Sequence, residues 1–266
     1  MAWGRDGYTT ERREDSDKGR RLSEVACSRN RVETAVMIDV RDGWVVKSFE
    51  GRNFLVTPDT SAIVDDEEPM LERLKAIKQG DVFLDVGAGV GTYALRAAAM
   101  GAEVIAFEPH PQTLEKLRRN VDLNRLDDHT SRITVIEYAL FDGGEYPVEL
   151  HAEVFGRHYP IPDNYEVEVA KLDEFEFDRV DWVKLDVEGA ELGVIEGGKE
   201  TIARCLPVIL CEDHDGINPD PKCVVSRYAE RIESSRKIRE ILAGMKYTIE
   251  TLPWGCGRRF LVATAR

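Results

Sequence analysis

Residues 82–91 read Val-Phe-Leu-Asp-Val-Gly-Ala-Gly-Val-Gly, and no other stretch constrains the fold of this 266-residue chain as strongly. Four apolar residues in five suit a short strand buried on both faces. Glycines alternate over the next five positions, and an alanine-rich run over 92–100 then takes helical spacing. A glycine turn from a buried strand into a helix opens a βαβ unit. The pattern continues with strands over 103–108, 133–136, 181–187 and 207–212. Between and after them come helices over 111–124, 190–204 and 226–245. Strands over 247–252 and 259–263 end the chain. The 253–258 connection is too short for a parallel crossover, so the last strand is expected to run antiparallel. The expected class is α/β, a doubly wound, mostly parallel sheet.

Upstream of residue 80 the pattern is different. Residues 1–30 are dense in charge without a period and read as a disordered tail. Residues 31–79 read as an extension. A hairpin is expected from 36–40 and 44–46 around Asp42-Gly43. A helix over 67–78 would follow, with Met70, Leu71, Leu74 and Ile77 at helical spacing and Pro69 in the first turn. Residues 80–266 form the main domain, interrupted by a β-rich excursion over 148–171. That excursion, with Phe155, His158, Tyr159 and Tyr165, reads as a lid or substrate wall.

Asp+Glu 50 against Lys+Arg 36 gives a net charge of −14. Such a field repels a polyanion, so nucleic acid is not an expected partner. Cys27, Cys205, Cys211, Cys223 and Cys256 are odd in number and lack a CxxC pair, which argues against a disulfide framework or a structural zinc site. No apolar run reaches the length of a membrane span, and the charged N-terminus lacks an apolar signal segment. A cytoplasmic protein is expected, and no oligomer is assigned.

Two groups of residues carry the chemistry. Gly87, Gly89 and Gly91 would bring backbone N–H groups and a helix N-terminus against an anionic ligand group. Glu108, 17 residues past Gly91, ends the second strand, where a carboxylate accepts ribose hydroxyls. Asp85 ends the first strand and would meet a cationic amino group. That pairing favours S-adenosylmethionine over a nicotinamide dinucleotide. The second group is Lys184-Leu185-Asp186-Val187-Glu188-Gly189-Ala190-Glu191, followed by Glu212-Asp213-His214-Asp215. If extended geometry persists, Lys184, Asp186 and Glu188 share one side, and the adjacent strand end adds Glu212 and His214. Plainer roles stay open: Glu188 or Glu191 in a helix's first turn, Lys184 as a partner of Asp186, and His214 as a loop residue. His110, His129, His151 and His158 read as surface or loop residues. No metal ligand set is assigned; Mg²⁺ is not expected, and Asp213 with Asp215 is where it would bind. In the last hairpin, Trp254 is placed to stack on a sugar and Arg258 or Arg259 to hold an anionic group.

These words together resemble the FkbM-type family of S-adenosylmethionine-dependent methyltransferases. The likeness lies in residues 80–88, Phe107-Glu108-Pro109, Ala139-Leu140 and 183–191, with Glu68 and the 212–214 strand end also in keeping. It extends over about 66–263. The resemblance implies a seven-stranded Rossmann-like class I methyltransferase sheet of order 3-2-1-4-5-7-6 with the last strand antiparallel. It also implies methyl transfer to an oxygen, often of a sugar, glycan or other small hydroxylated metabolite. Cofactor contacts would fall to Glu68, Asp85, Gly87, Gly89, Gly91, Glu108, Pro109, Glu137, Ala139 and Asp186. Catalytic roles would fall to Lys184, Asp186, Glu188 and His214. The chain departs from the family at Ala88-Gly89-Val90, where Asn-x-Gly is common, and at Glu137, where Asn is common near the adenine. Two alternatives remain: a ribose 2′-O-methyltransferase of RNA, with Arg12, Arg13, Arg20 and Arg21 as a local arm, and a non-catalytic S-adenosylmethionine-binding protein.

Overall fold

The computed structural model describes residues 22–25, 36–39, 45–49, 52–56, 68–124, 132–144, 167–215, 228–254 and 258–266. In the N-terminal part, β1 (Leu22–Val25) pairs antiparallel with β2 (Val36–Asp39). β3 (Val45–Phe49) pairs antiparallel with β4 (Arg52–Val56), Phe49 opposite Arg52. The expected pairing of 36–40 with 44–46 is therefore not formed. Each half of that hairpin takes another partner, and one partner, β1, comes from the stretch expected to be tail. Period-two alternation sets which face a strand buries but not which neighbour it pairs with. The helix expected over 67–78 is shorter, α1 (Glu68–Leu74).

The main sheet contains β5 (Val82–Val86), β6 (Glu103–Phe107), β7 (Ile133–Ile136), β10 (Trp182–Leu185), β11 (Val208–Asp213), β12 (Tyr247–Trp254) and β13 (Arg258–Ala265). Their order is β12-β13-β11-β10-β5-β6-β7. β13 runs antiparallel to both of its neighbours, and the other pairings are parallel. This is the expected doubly wound, mostly parallel sheet, with its last strand reversed. The final strands are longer than the sequence pattern suggests, with Trp254 opposite Arg258. β8 (Ala139–Leu140) and β9 (Val169–Ala170) form a small parallel pair beside it. The rest of the excursion, 148–166, lies outside the described residues.

Two apolar layers explain why the strands are apolar throughout. Phe83, Ala106, Leu210 and Trp182 pack with α2 (Thr92–Ala99) and α3 (Pro111–Leu123) on one face. Leu84, Leu185, Ile209 and Cys211 pack with α4 (Glu191–Gly197) and α6 (Tyr228–Gly244) on the other. Successive strand residues thus enter opposite cores, each large side chain contributing about 1.5–3 kcal/mol of burial.

The helix expected over 190–204 is two helices, α4 and α5 (Lys199–Cys205), divided at Gly198. Close packing accounts for the glycines there. A Cβ on Gly197 would lie 2.1 Å from Phe141 O, and one on Gly198 would lie 2.7 Å from Leu172 Cδ2. No helix among the described residues is long and apolar enough to cross a membrane.

The chain runs outward from β5 through β6 to β7, then returns to β10 on the other side of β5. Strand order reverses between β5 and β10. Open α/β sheets bind ligands at the carboxyl ends of strands beside such a switch.

Candidate functional site

The glycine turn closes over the end of β5. Gly87 and Ala88 both donate to Phe107 O, at 3.0 and 2.9 Å, which ties the turn to β6. Gly87 has φ +75°, and a Cβ there would sit 2.0 Å from Asp186 O. Only glycine lets the β5 turn and the β10 end approach this closely. α2 begins at Gly91 with no side-chain cap and no acidic residue in its first turn. Its first N–H groups have no side-chain acceptor at the cap position, an arrangement compatible with the anionic ligand group that the sequence suggests.

Glu108 is 1% exposed. Its Oε2 accepts from Gly89 N at 2.7 Å, and its Oε1 accepts from His110 N and Thr113 Oγ1, both at 2.9 Å. Burial pushes its pKa from 4.5 up to about 7, against the pull of these donors and of the Lys184 ammonium. The carboxylate therefore joins the turn to the β6 end. About four lone-pair sites against three donors leave room for a hydroxyl on Oε2. Thr113 Oγ1 also lies 3.0 Å from His110 O, a second acceptor that can release a site on Oε1. His110 is no loop histidine: it is 1% exposed and caps α3, its Nδ1 accepting from Gln112 N at 3.3 Å. Pro111 at the first helical position is the cue that marks this cap.

Lys184 lies in β10 beside Asp85 in β5. Its Nζ donates to Gly87 O at 2.7 Å and lies 3.2 Å from Asp85 Oδ1 and 3.9 Å from Asp186 Oδ2. It also sits 5.2 Å from the Tyr93 ring centroid. Asp85 is fully buried, and Lys184 is the cation that neutralises it. The lysine thus bridges both acidic groups and holds the glycine turn.

Extended geometry stops at Leu185, so Lys184, Asp186 and Glu188 do not follow one strand side. Glu188 adopts φ 57° and Gly189 φ 112°. A left-handed non-glycine residue in a site turn carries strain that its surroundings hold in place. The partner is Arg231 of α6, whose NH1 lies 3.5 Å from Glu188 Oε2. Asp186 and Glu188 keep partly accessible side chains, 22% and 20% exposed. Glu191 takes the helix role: its Oε1 accepts from Val187 N and Gly189 N at 3.0 and 3.1 Å.

At the β11 end, His214 is buried with its backbone N–H donating to Ser235 Oγ at 2.9 Å. Its Nε2 lies 3.4 Å from Glu212 Oε2. Burial pulls the imidazole pKa down, but the Glu212 and Glu191 carboxylates outweigh it and raise the pKa from its ordinary value.

Asp213 does not stand ready for Mg²⁺, because Arg239 and Arg259 both pair with it. Asp215 pairs with Arg236. Arg259 is likewise engaged inside the fold. The side chains of Trp254, Arg258 and Glu68 lie outside the described residues. Glu137 forms an ion pair with Arg118 at 3.0 Å. Ala139 is buried in β8, its N–H bonded to Glu168 O at 2.9 Å. Pro109 is buried beside Glu108. Arg231 was not legible in the sequence, since no motif links it to residues more than forty positions earlier.

The chain matches the methyltransferase FkbM domain over residues 85–249. It belongs to the FkbM methyltransferase family. The crystal structure of methyltransferase FkbM from Methylobacillus flagellatus KT superimposes with a TM-score of 0.52 at 18% identity, over 69% of this chain and 43% of that one. That likeness concerns the fold. The ribosomal protein L11 methyltransferase of Bacillus cereus is 39% identical over 77 residues, 29% of this chain and 24% of its own length. The enzyme of the same name from Carboxydothermus hydrogenoformans is 37% identical over 92 residues, 34% of this chain and 28% of its own length. The chain thus spans about a quarter of the length of these curated relatives.

Proposed function

We propose that this FkbM-family protein transfers a methyl group from S-adenosylmethionine to a hydroxyl oxygen of a sugar, glycan or other small metabolite. The observation that carries the reading is the buried Glu108 carboxylate bonded to the Gly89 amide at 2.7 Å. It puts an acceptor for ribose hydroxyls on the same turn as an uncapped helix N-terminus.

The residues present fit this cosubstrate. The α2 N-terminus suits its carboxylate and Glu108 its ribose. Asp85, fully buried and paired with Lys184, is not open to its ammonium in the way the sequence suggests. S-adenosylmethionine supplies a methyl group already activated on a sulfonium. In the transfer the C–S bond breaks, the C–O bond forms, and the acceptor proton passes to a protein base. Asp186 and Glu188 are the accessible carboxylates at the β10 end, and a positioned base of this kind contributes about 10²–10⁴-fold. Lys184, 3.9 Å from Asp186 Oδ2, positions that carboxylate. The acidic cluster suits a neutral hydroxylated acceptor better than a polyanion.

Calorimetric titration with S-adenosylmethionine, and separately with NAD, tests the reading. Saturable binding of S-adenosylmethionine alone, lost in Glu108→Ala, is expected. Preferential binding of NAD, or none of either, overturns it. Salt-dependent retention on tRNA would move the acceptor to RNA ribose. Cofactor binding without turnover on hydroxylated acceptor pools would support a non-catalytic role.

A further inference from the structure

We propose that Glu191, Glu212 and His214 form a binding site for a divalent transition-series cation, Zn²⁺ by its ligand chemistry, at the carboxyl end of β11. One carboxylate oxygen of each glutamate and one imidazole nitrogen lie within 4.8 Å of one another, and all three residues are buried. The His214 ring adds an independent observation. Its side chain is 3% exposed, and neither nitrogen makes a hydrogen bond with a described residue. A cation bound there would meet the ring and both carboxylates.

The spacing suits a metal better than a direct bond. His214 Nε2 stands 3.4 Å from Glu212 Oε2. Two ligands bound to a tetrahedral Zn²⁺ at about 2.0–2.1 Å stand about 3.4 Å apart. Glu191 is held as an oriented ligand should be. Its Oε1 is fixed by the Val187 and Gly189 amides, which leaves the second oxygen for the ion. The Ser235 hydroxyl fixes the His214 backbone.

The donor set points the same way. An imidazole with two carboxylates suits Zn²⁺ or Mn²⁺, whereas Mg²⁺ favours oxygen ligands and retains its waters. Three protein ligands leave a fourth position open on Zn²⁺. An acceptor hydroxyl bound there would lose its proton more readily. That use rests on the O-methyl transfer reading, but binding of the ion does not.

Calorimetric titration of the full chain, stripped with a chelator, with Zn²⁺, Mn²⁺ and Mg²⁺ in turn tests the site. One Zn²⁺ per chain is expected, with Mg²⁺ much weaker. Glu212→Gln and His214→Gln should each weaken Zn²⁺ at least about 10–100-fold, the cost of losing even an outer partner of a metal ligand. Circular dichroism would check that both variants fold. Should they not, Co²⁺ added to the unsubstituted protein gives a second readout. Strong visible absorption of a four-coordinate ion supports the site, and the weak spectrum of a hexaaqua-like ion overturns it. No Zn²⁺ binding, or binding unchanged in both variants, also overturns it. S-adenosylmethionine titrated into the same samples separates this failure from failure of the methyltransferase reading.

Discussion

The β6 end and the β11 end of the crevice bury their polar groups to similar depth and treat them differently. Glu108 is 1% exposed and meets three donors from its own chain. His214 is 3% exposed and has no side-chain hydrogen bond among the described residues. Folding alone completes the first site. The second has its backbone fixed by Ser235 and its ring facing two carboxylates. The contrast separates a carboxylate satisfied within the fold from a ring for which we propose a cation as partner.

Removing the central cation should break this contrast most severely. Lys184→Met leaves the Asp85 carboxylate buried beside an apolar chain, and losing one partner of a buried pair costs about 3–5 kcal/mol. Urea denaturation at neutral pH measures it. His214→Leu in chelator-treated protein should cost less than Lys184→Met, because the ring meets Glu212 only at 3.4 Å. Similar losses in both would erase the distinction.

The turn glycines sharpen it next. Gly87→Ala forces a Cβ into Asp186 O, 2.0 Å away, and should cost about 3–4 kcal/mol. Gly89 has φ +56° with open space where a Cβ would be. Gly89→Ala should therefore cost only the left-handed backbone term, about 1–2 kcal/mol. Denaturation curves of the two variants check the ratio. Equal costs would mean that β5 and β10 separate freely.

Strands buried on both faces made the main fold readable, because a continuous apolar run followed by a helix admits few architectures. The turn after β5 and the acid that ends β6 were readable for a related reason: turn, helix and acid lie within 24 residues, 85–108, of one another in sequence. Contacts between distant segments were not readable. Gly198 divides a helix because Leu172 packs against it, and no local signal at 190–204 reports that neighbour. Asp42-Gly43 is a sound turn signal, yet β2 pairs with β1, since pairing energy is tertiary. Arg231 reaches Glu188 from a helix that follows a long connection. Glu191 was seen as a helix-start acid. Its place beside Glu212 and His214 required the sheet order.

The Glu108 pKa gives a pH test of the β6 end. The carboxyl is raised from 4.5 to about 7 in the fold. Between those values the unfolded chain is ionised while the folded chain holds the proton. Stability should fall by about 3 kcal/mol as pH rises through that window, then level off above it. Cofactor affinity should move the other way. Ribose hydroxyls donate to a carboxylate, so affinity should rise about tenfold per unit as pH approaches 7 and then flatten. Denaturation and calorimetry across pH 4.5–8 would read both curves. Parallel curves would remove Glu108 from ribose binding.

Thr113→Val makes the smallest and most selective change. The threonine hydroxyl has one proton to share between Glu108 Oε1 and His110 O, at 2.9 and 3.0 Å. Its loss should cost about 1 kcal/mol, the net worth of one hydrogen bond. The methyl that replaces it preserves shape but withdraws a donor that favours the ionised carboxylate. The affinity midpoint should therefore move to higher pH, while affinity well above the midpoint stays near that of the unsubstituted protein. Zn²⁺ binding at the β11 end should not change at all. A midpoint that stays in place would mean that Thr113 donates to His110 O, leaving Gly89 and His110 as the donors that hold Glu108.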